Sequence, residues 1–100
     1  MYTIEQIKEI SVPVAKRYGV EKLALFGSYA RGDQREDSDI DFLVNKGDII
    51  GYEFYGFINA LEDELGTNVD VITYGSLKEA FIYDVLINEV KSEEVILYER

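Results

Sequence analysis

The amino-acid sequence predicts one α/β (α+β) domain over residues 1–100, with a small mixed β-sheet of about four strands flanked by helices. Stretches with apolar residues at every third or fourth position alternate with short apolar runs, as amphipathic helices and buried strands require. A helix predicted between the second and third strands makes those strands parallel and joined by a right-handed crossover. The 47% hydrophobic content suits a single globular domain.

The first predicted helix begins at Thr3, which together with Gln6 gives the pattern of a capping box. Gly19 is a suitable residue for its end. Pro13 lies inside this helix and is expected to kink or split it, because proline has no amide hydrogen and its ring clashes with the preceding turn. The apolar positions with helical spacing are Ile4, Ile7, Ile10, Val14 and Tyr18.

Two strands and a polar turn follow the first helix. Lys22–Phe26 is a short apolar run that ends at Gly27, and it is predicted to be a buried strand. Residues 27–38 are polar and contain glycine, so they are predicted to form a turn with room for one turn of helix. Residues 40–44 are predicted to form the second strand, and residues 45–48 a loop.

The second half of the chain continues this alternation. Residues 50–65 have the helical spacing of apolar side chains, although two internal glycines each lower the helix propensity by about 1 kcal/mol relative to alanine. Residues 68–74 are predicted to form the third strand. A third helix is predicted over residues 76–90, and a fourth strand over residues 95–98.

The composition excludes several classes of chemistry. The chain has no cysteine and no histidine, so it cannot form disulfides, thiolate metal sites or a Ser-His or Cys-His catalytic pair. Any reaction must rely on carboxylates, hydroxyls, lysine, arginine and a bound metal or cofactor. No apolar run approaches the ~18 residues of a membrane helix. The N-terminus also lacks the pattern of a signal peptide, so we expect a cytoplasmic protein that does not bind membranes.

The formal net charge of −10 makes direct binding of nucleic acid unfavourable, because the phosphate backbone is also negative. Residues 1–47 carry 8 acidic and 7 basic side chains, whereas residues 48–100 carry 12 acidic and 3 basic ones. Two interpretations stay open. The acidic half is either an ordinary solvated surface or a face that meets a basic partner.

Three acidic residues predict a metal site. Asp39 and Asp41 are two positions apart on the second strand, so both side chains project from one face while Ile40 projects into the core. Asp70 interrupts the third strand, and parallel pairing would bring it to the same face. Neighbouring carboxylates raise each other's pKa unless a cation neutralises them, and oxygen ligands suit Mg²⁺. Such a set could hold two metal ions ~3.5–4 Å apart, as in phosphoryl transfer.

A glycine-containing turn beside these acids predicts a phosphate site. Gly27 allows a ligand to approach the backbone closely, and Ser28 adds a hydroxyl donor. Arg31 lies about one helical turn further on and could reach phosphate oxygens. Tyr29 either stacks on a base, contacts a partner or packs as an ordinary core residue. Taken singly, each feature also fits a plain turn or an exposed strand charge, and it is their combination that favours a site.

The motif GSYARG at residues 27–32, followed by SDIDFLV at residues 38–44, resembles the signature of the DNA-polymerase-beta-type nucleotidyltransferase superfamily. It is most similar to the minimal nucleotidyltransferase (MNT) branch, and the resemblance covers essentially the whole chain. The resemblance implies a nucleotidyltransferase fold, two Mg²⁺ ions and a nucleoside triphosphate substrate, usually ATP.

The resemblance also implies a role for each matching residue. Asp39 and Asp41 would bind both metal ions, and Asp70 would complete the set and help to activate the acceptor hydroxyl. Gly27 and Ser28 would hold the β- and γ-phosphates.

The MNT branch is often encoded beside HEPN-domain proteins, as the antitoxin of a toxin–antitoxin pair. The resemblance therefore implies transfer of AMP from ATP to a tyrosine hydroxyl of a HEPN ribonuclease toxin, which silences the toxin. Arg31 would contact either phosphate or the partner. Larger relatives add a substrate domain that we do not expect here, so the acceptor pocket would be shared with a partner or a second subunit, in a homo- or hetero-oligomer.

Two alternative functions stay open. The chain could neutralise a toxin by complex formation without catalysis, or it could transfer AMP to the hydroxyl of a small molecule.

Overall fold

The fold is given by a computed structural model that describes residues 2–32, 34–35, 39–49, 51–75 and 94–100. The elements in chain order are α1 (Ile4–Tyr18), β1 (Lys22–Phe26), α2 (Gly27–Arg31), β2 (Ile40–Asn45), α3 (Gly51–Leu65), β3 (Val69–Thr73) and β4 (Val95–Glu99). The four predicted strands and the first two predicted helices are confirmed, and α2 is a short helix within the predicted turn. The helix predicted over residues 76–90 lies outside the described residues. No helix in the described ranges is long and apolar enough to cross a membrane.

Pro13 does not split α1, which corrects one alternative of the sequence prediction. The capping box of Thr3 and Gln6 is present at the start, and Gly19 adopts a left-handed conformation at the end. Between these caps the helix is continuous, because packing against the core outweighs the hydrogen bond that proline removes. The buried side of the helix consists of Ile7, Ser11, Val14 and Ala15.

The four strands form one mixed sheet with the order β3-β2-β1-β4. β1 pairs antiparallel with both β2 and β4, whereas β2 and β3 are parallel. A parallel pair needs a crossover connection, and α3 provides it. The α/β class, the mixed sheet and the parallel pair agree with the sequence prediction.

The two faces of the sheet differ in what they carry. α1 and α3 contribute to the large core on one face. The residues of β2 that enter this core are Ile40, Phe42 and Val44. Because side chains alternate along a strand, Asp41 and Leu43 project from the opposite face. There, Ala24 and Leu43 form a second, smaller buried cluster.

Gly56 allows α3 to pack closely against α1, although glycine has a low helix propensity. A Cβ atom at Gly56 of α3 would lie 3.3 Å from Cε1 of Tyr18 of α1, which is tighter than ordinary contact. The ring of Tyr18 also packs against Phe57, with ring centroids 6.0 Å apart. The cost of this glycine in helix propensity is therefore offset by close contact between the two helices.

Candidate active site

Two carboxylates meet at one end of the sheet. In the parallel pairing of β2 with β3, the Cα of Asp41 lies opposite the Cα of Asp70. Asp41 is also the register partner of Phe26, the last residue of β1. The site therefore lies where β1 ends and where β2 and β3 begin, on the sheet face opposite to α1 and α3.

Asp39 lies directly before β2, which begins at Ile40 as the predicted strand over residues 40–44 does, so it does not share the strand with Asp41. Its side chain is exposed. Its negative charge raises the pKa of Asp41, so the two carboxylates are within electrostatic reach of each other. Because the strand does not include Asp39, pairing with neighbouring strands fixes its side chain less firmly than that of Asp41.

The pKa of Asp41 is raised from 3.8 to about 6. The largest cause is partial burial, which disfavours the charged form, and the charge of Asp70 is the second. A hydrogen bond with Asp70 and the charge of Asp39 raise it further, whereas the charge of Arg31 lowers it. A carboxylate in such surroundings is under a repulsion that a bound cation would relieve.

The chemistry of these side chains fits a hard divalent cation. Asp39, Asp41 and Asp70 offer carboxylate oxygens only, which are the ligands that Mg²⁺ prefers. In the part of the chain that the structure describes, no three acidic side chains are already arranged to hold a metal ion.

Gly27 is required at its position for two independent reasons. Its φ of +73° lies in the left-handed region, which side chains rarely adopt. A Cβ atom built on Gly27 would also collide with the carboxylate of Asp41, with its Cγ only 3.3 Å away. The sequence predicted that this glycine makes room for a ligand. The structure adds that it makes room for the carboxylate.

Ser28 and Arg31 belong to α2, which begins directly after β1. Ser28 is half-buried and Arg31 is exposed. The positive charge of Arg31 lowers the pKa of Asp41, so its guanidinium is within electrostatic reach of that carboxyl group. The predicted phosphate-binding residues thus lie at the same end of the sheet as the predicted metal ligands.

Tyr29 packs in the core and does not line the site. It is only 4% exposed, and it belongs to the large core cluster. Of the alternatives that the sequence left open for this ring, the structure supports the core position and not a base-stacking or partner-contacting one.

One contact near the site had no signal in the sequence. The carboxylate of Glu62, on α3, accepts a hydrogen bond of 3.3 Å from the backbone N–H of Val69, the residue before Asp70. Glu62 is one of several acidic residues on a helix, and such residues usually face solvent. A contact across the turn between a helix and a strand is not visible in the spacing of apolar residues.

Comparison with known proteins identifies the family. The chain matches the nucleotidyltransferase domain family over residues 7–97. It is 38% identical over 91 residues to the protein adenylyltransferase MntA of Thermococcus cleftensis, a match that covers 86% of this chain and 92% of the relative. It is 39% identical over 89 residues to a Methanocaldococcus jannaschii protein assigned by name as a protein adenylyltransferase, with the same two coverages of 86% and 92%.

Solved structures share the fold. One assigned as a minimal nucleotidyltransferase aligns with a TM-score of 0.73 and 28% identity, covering 94% of this chain and 95% of that one. A chain in the complex of a tri-AMPylated Shewanella oneidensis HEPN toxin with its MNT antitoxin aligns with a TM-score of 0.67. That match has 20% identity and covers 96% of this chain and 72% of that one, which shows a common fold. This chain therefore belongs to the nucleotidyltransferase domain family, as the resemblance of its motif to minimal nucleotidyltransferases implied, and it is an enzyme of the nucleotidyltransferase class.

Proposed function

We propose that this chain transfers AMP from ATP to a tyrosine hydroxyl of a HEPN-domain ribonuclease toxin, in a Mg²⁺-dependent reaction, and so acts as the antitoxin. The observation that carries the proposal is the register of the sheet, which sets Asp41 opposite Asp70. Gly27, against the carboxylate of Asp41, begins the segment proposed to hold the triphosphate. Carboxylates beside a phosphate-binding turn are what nucleotidyl transfer needs, and relatives named protein adenylyltransferases support a protein acceptor.

Each site residue has a distinct role in this proposal. Asp39 and Asp41 hold two Mg²⁺ ions, and Asp70 completes the ligand set and accepts the proton of the acceptor hydroxyl. When bound, the cations neutralise charge on the phosphates and favour ionisation of the acceptor hydroxyl. Gly27 and Ser28 hold the β- and γ-phosphates, and Arg31 contacts a phosphate or the partner.

The reaction is an in-line displacement at the α-phosphorus. The oxygen of the acceptor tyrosine forms a bond to the α-phosphorus, and the bond from that phosphorus to the bridging oxygen of the β-phosphate breaks. Pyrophosphate leaves with the bonding electrons, while the hydroxyl proton moves to Asp70. Positioning and charge stabilisation supply most of the rate, so neither histidine nor cysteine is needed.

A HEPN toxin as acceptor is supported by the structural neighbours. A toxin–antitoxin complex solved with AMP-PNP contains a chain that aligns with a TM-score of 0.71 at 24% identity. Other neighbours include the tri-AMPylated HEPN toxin in complex with its MNT antitoxin. The net charge of −10 suits an RNA-binding, and therefore basic, protein partner. We propose that this partner completes the acceptor pocket.

Intact mass measurement tests the proposed function. The chain, its neighbouring HEPN protein and ATP are mixed with Mg²⁺, and the HEPN protein is expected to gain the mass of one or more AMP units. The gain must disappear with EDTA and in the double variant Asp39→Asn/Asp41→Asn. Neutralisation of the toxin that survives the double change, with no gain in mass, would instead show that the chain acts by binding alone.

A further inference from the structure

The connection between α3 and the strand that carries Asp70 donates hydrogen bonds to one residue of the helix, Glu62. The side chain of Glu62 accepts from the N–H of Val69 at 3.3 Å, and its backbone carbonyl accepts from the N–H of Gly66 at 2.8 Å. Gly66 has a φ of +69°, which ends α3 and turns the chain toward β3. The bond from Gly66 is a backbone bond of the helical type that any residue at position 62 would accept, so the side chain of Glu62 acts only at Val69, where the connection enters β3.

The N–H of Val69 donates to the Glu62 carboxylate in a part-buried contact. Val69 is only 9% exposed and is the first residue of β3, directly before Asp70. β3 is at the edge of the described sheet and pairs with β2. Loss of this part-buried hydrogen bond with the Glu62 carboxylate would loosen the start of the strand.

We infer that Glu62 is a positioning residue for Asp70, acting through the backbone of Val69. This inference rests on the proposed function, in which Asp70 completes the metal site. Asp70 is exposed and is the second residue of the strand. Its position opposite Asp41 therefore depends on how firmly the start of the strand is held. Glu62 fixes it from the helix, and so it sets the separation of the two carboxylates that a cation must bridge.

Two variants separate the hydrogen bond from the charge. Glu62→Gln removes the charge but keeps an amide oxygen that can accept from Val69. Glu62→Asp keeps the charge but shortens the side chain by one methylene, which withdraws the acceptor. The matched control is Asp63→Ala, an exposed acidic neighbour on the same helix.

The first readout is hydrogen exchange of the Val69 and Asp70 amides, measured by NMR without metal. We expect exchange up to about tenfold faster in Glu62→Asp, as loss of one hydrogen bond would give, and wild-type exchange in Glu62→Gln and Asp63→Ala. Equal exchange in Glu62→Asp and wild type would overturn the inference. If Glu62→Asp does not fold, a Glu62→Gln variant with markedly faster exchange than Asp63→Ala would overturn it equally.

The second readout is binding of Mn²⁺, followed by electron paramagnetic resonance. We expect about tenfold weaker binding in Glu62→Asp, the lower end of the effect of residues that orient metal ligands, and near wild-type binding in Glu62→Gln. Wild-type binding in Glu62→Asp would refute the positioning role. If the wild type itself bound no Mn²⁺, the proposed metal site would fail, so the two failures are distinguishable.

Discussion

Gly27 and the carboxylate of Asp41 lie so close together that a Cβ atom on Gly27 would collide with the Asp41 side chain. Gly27 directly follows the last residue of β1, whose register partner on β2 is Asp41. Its backbone is also left-handed, with a φ of +73°. The segment proposed to bind phosphate therefore packs directly against the strand proposed to bind metal, and this contact requires a residue without a Cβ atom at position 27.

We expect Gly27→Ala to abolish adenylyl transfer. The substitution displaces the Asp41 carboxylate, and it also places alanine in a left-handed conformation that costs about 1–2 kcal/mol. Transfer rate and the thermal unfolding midpoint are measured on the same preparation.

Gly32→Ala is the matched control for this change. Gly32 has a φ of +81°, but a Cβ atom there would have no neighbour within 4 Å. It carries the same backbone strain without the collision, so we expect a similar loss of stability and largely retained activity. Equal loss of activity in both variants would show that backbone strain, and not the carboxylate, explains the effect.

Asp41→Asn should stabilise the metal-free protein at neutral pH. The folded pKa of Asp41 is about 6, compared with 3.8 as its ordinary value, so ionisation of this residue disfavours folding. This loss of folding stability is absent below about pH 4, grows as the pH rises to about 6, and is constant at higher pH. In a fully buried group, such a pKa difference would lower the free energy of unfolding by about 3 kcal/mol. Solvent screening of this half-exposed side chain reduces it to about 1 kcal/mol.

Urea unfolding of wild type and Asp41→Asn across this pH range, in EDTA, measures the difference. Asp48→Asn, at an exposed turn residue, is the control and should show no such growth with pH. Added Mg²⁺ should favour wild type, because the variant loses a carboxylate ligand. A stability difference that stays constant between pH 4 and pH 7 would contradict the position of Asp41 among the other acids.

Binding of Mg²⁺ should weaken below about pH 6. A proton on Asp41 competes with the metal, so the apparent affinity should fall by up to about tenfold for each pH unit below the pKa. Isothermal titration with Mg²⁺ between pH 5 and pH 8 measures this effect. A midpoint near pH 4 would mean that Asp41 has an ordinary pKa or is not a ligand.

The parallel pairing that brings Asp41 and Asp70 together could be predicted because it depends on local patterns, whereas the order of strands in the sheet was not predicted. A short apolar run that ends at Gly27 marks β1, and a helix between β2 and β3 requires those two strands to be parallel. Given parallel neighbours, an acid on each strand brings Asp41 and Asp70 together. The motif that begins at Gly27 predicted the family that the comparison with known proteins shows.

Features that depend on tertiary packing could not be predicted in this way. Pro13 signals a break, but core packing keeps α1 continuous. Asp39 has the spacing of a strand residue relative to Asp41, but its side chain is exposed just outside the strand. The hydrogen bond between Glu62 and Val69 joins two elements across a turn, and neither residue type suggests it.

Although Tyr29 lies within the GSYARG motif, its ring packs in the core, where the residue is 4% exposed. Tyr29→Ala should therefore destabilise the fold by about 3–5 kcal/mol, as large-to-small changes of buried aromatic residues do. Tyr29→Phe should leave the KM for ATP unchanged. Tyr52→Ala is the control, since that tyrosine is 74% exposed and should cost little stability. Chemical unfolding and steady-state kinetics measure both effects, and a large rise in KM for Tyr29→Phe at unchanged stability would place the hydroxyl at the nucleotide instead of in the core.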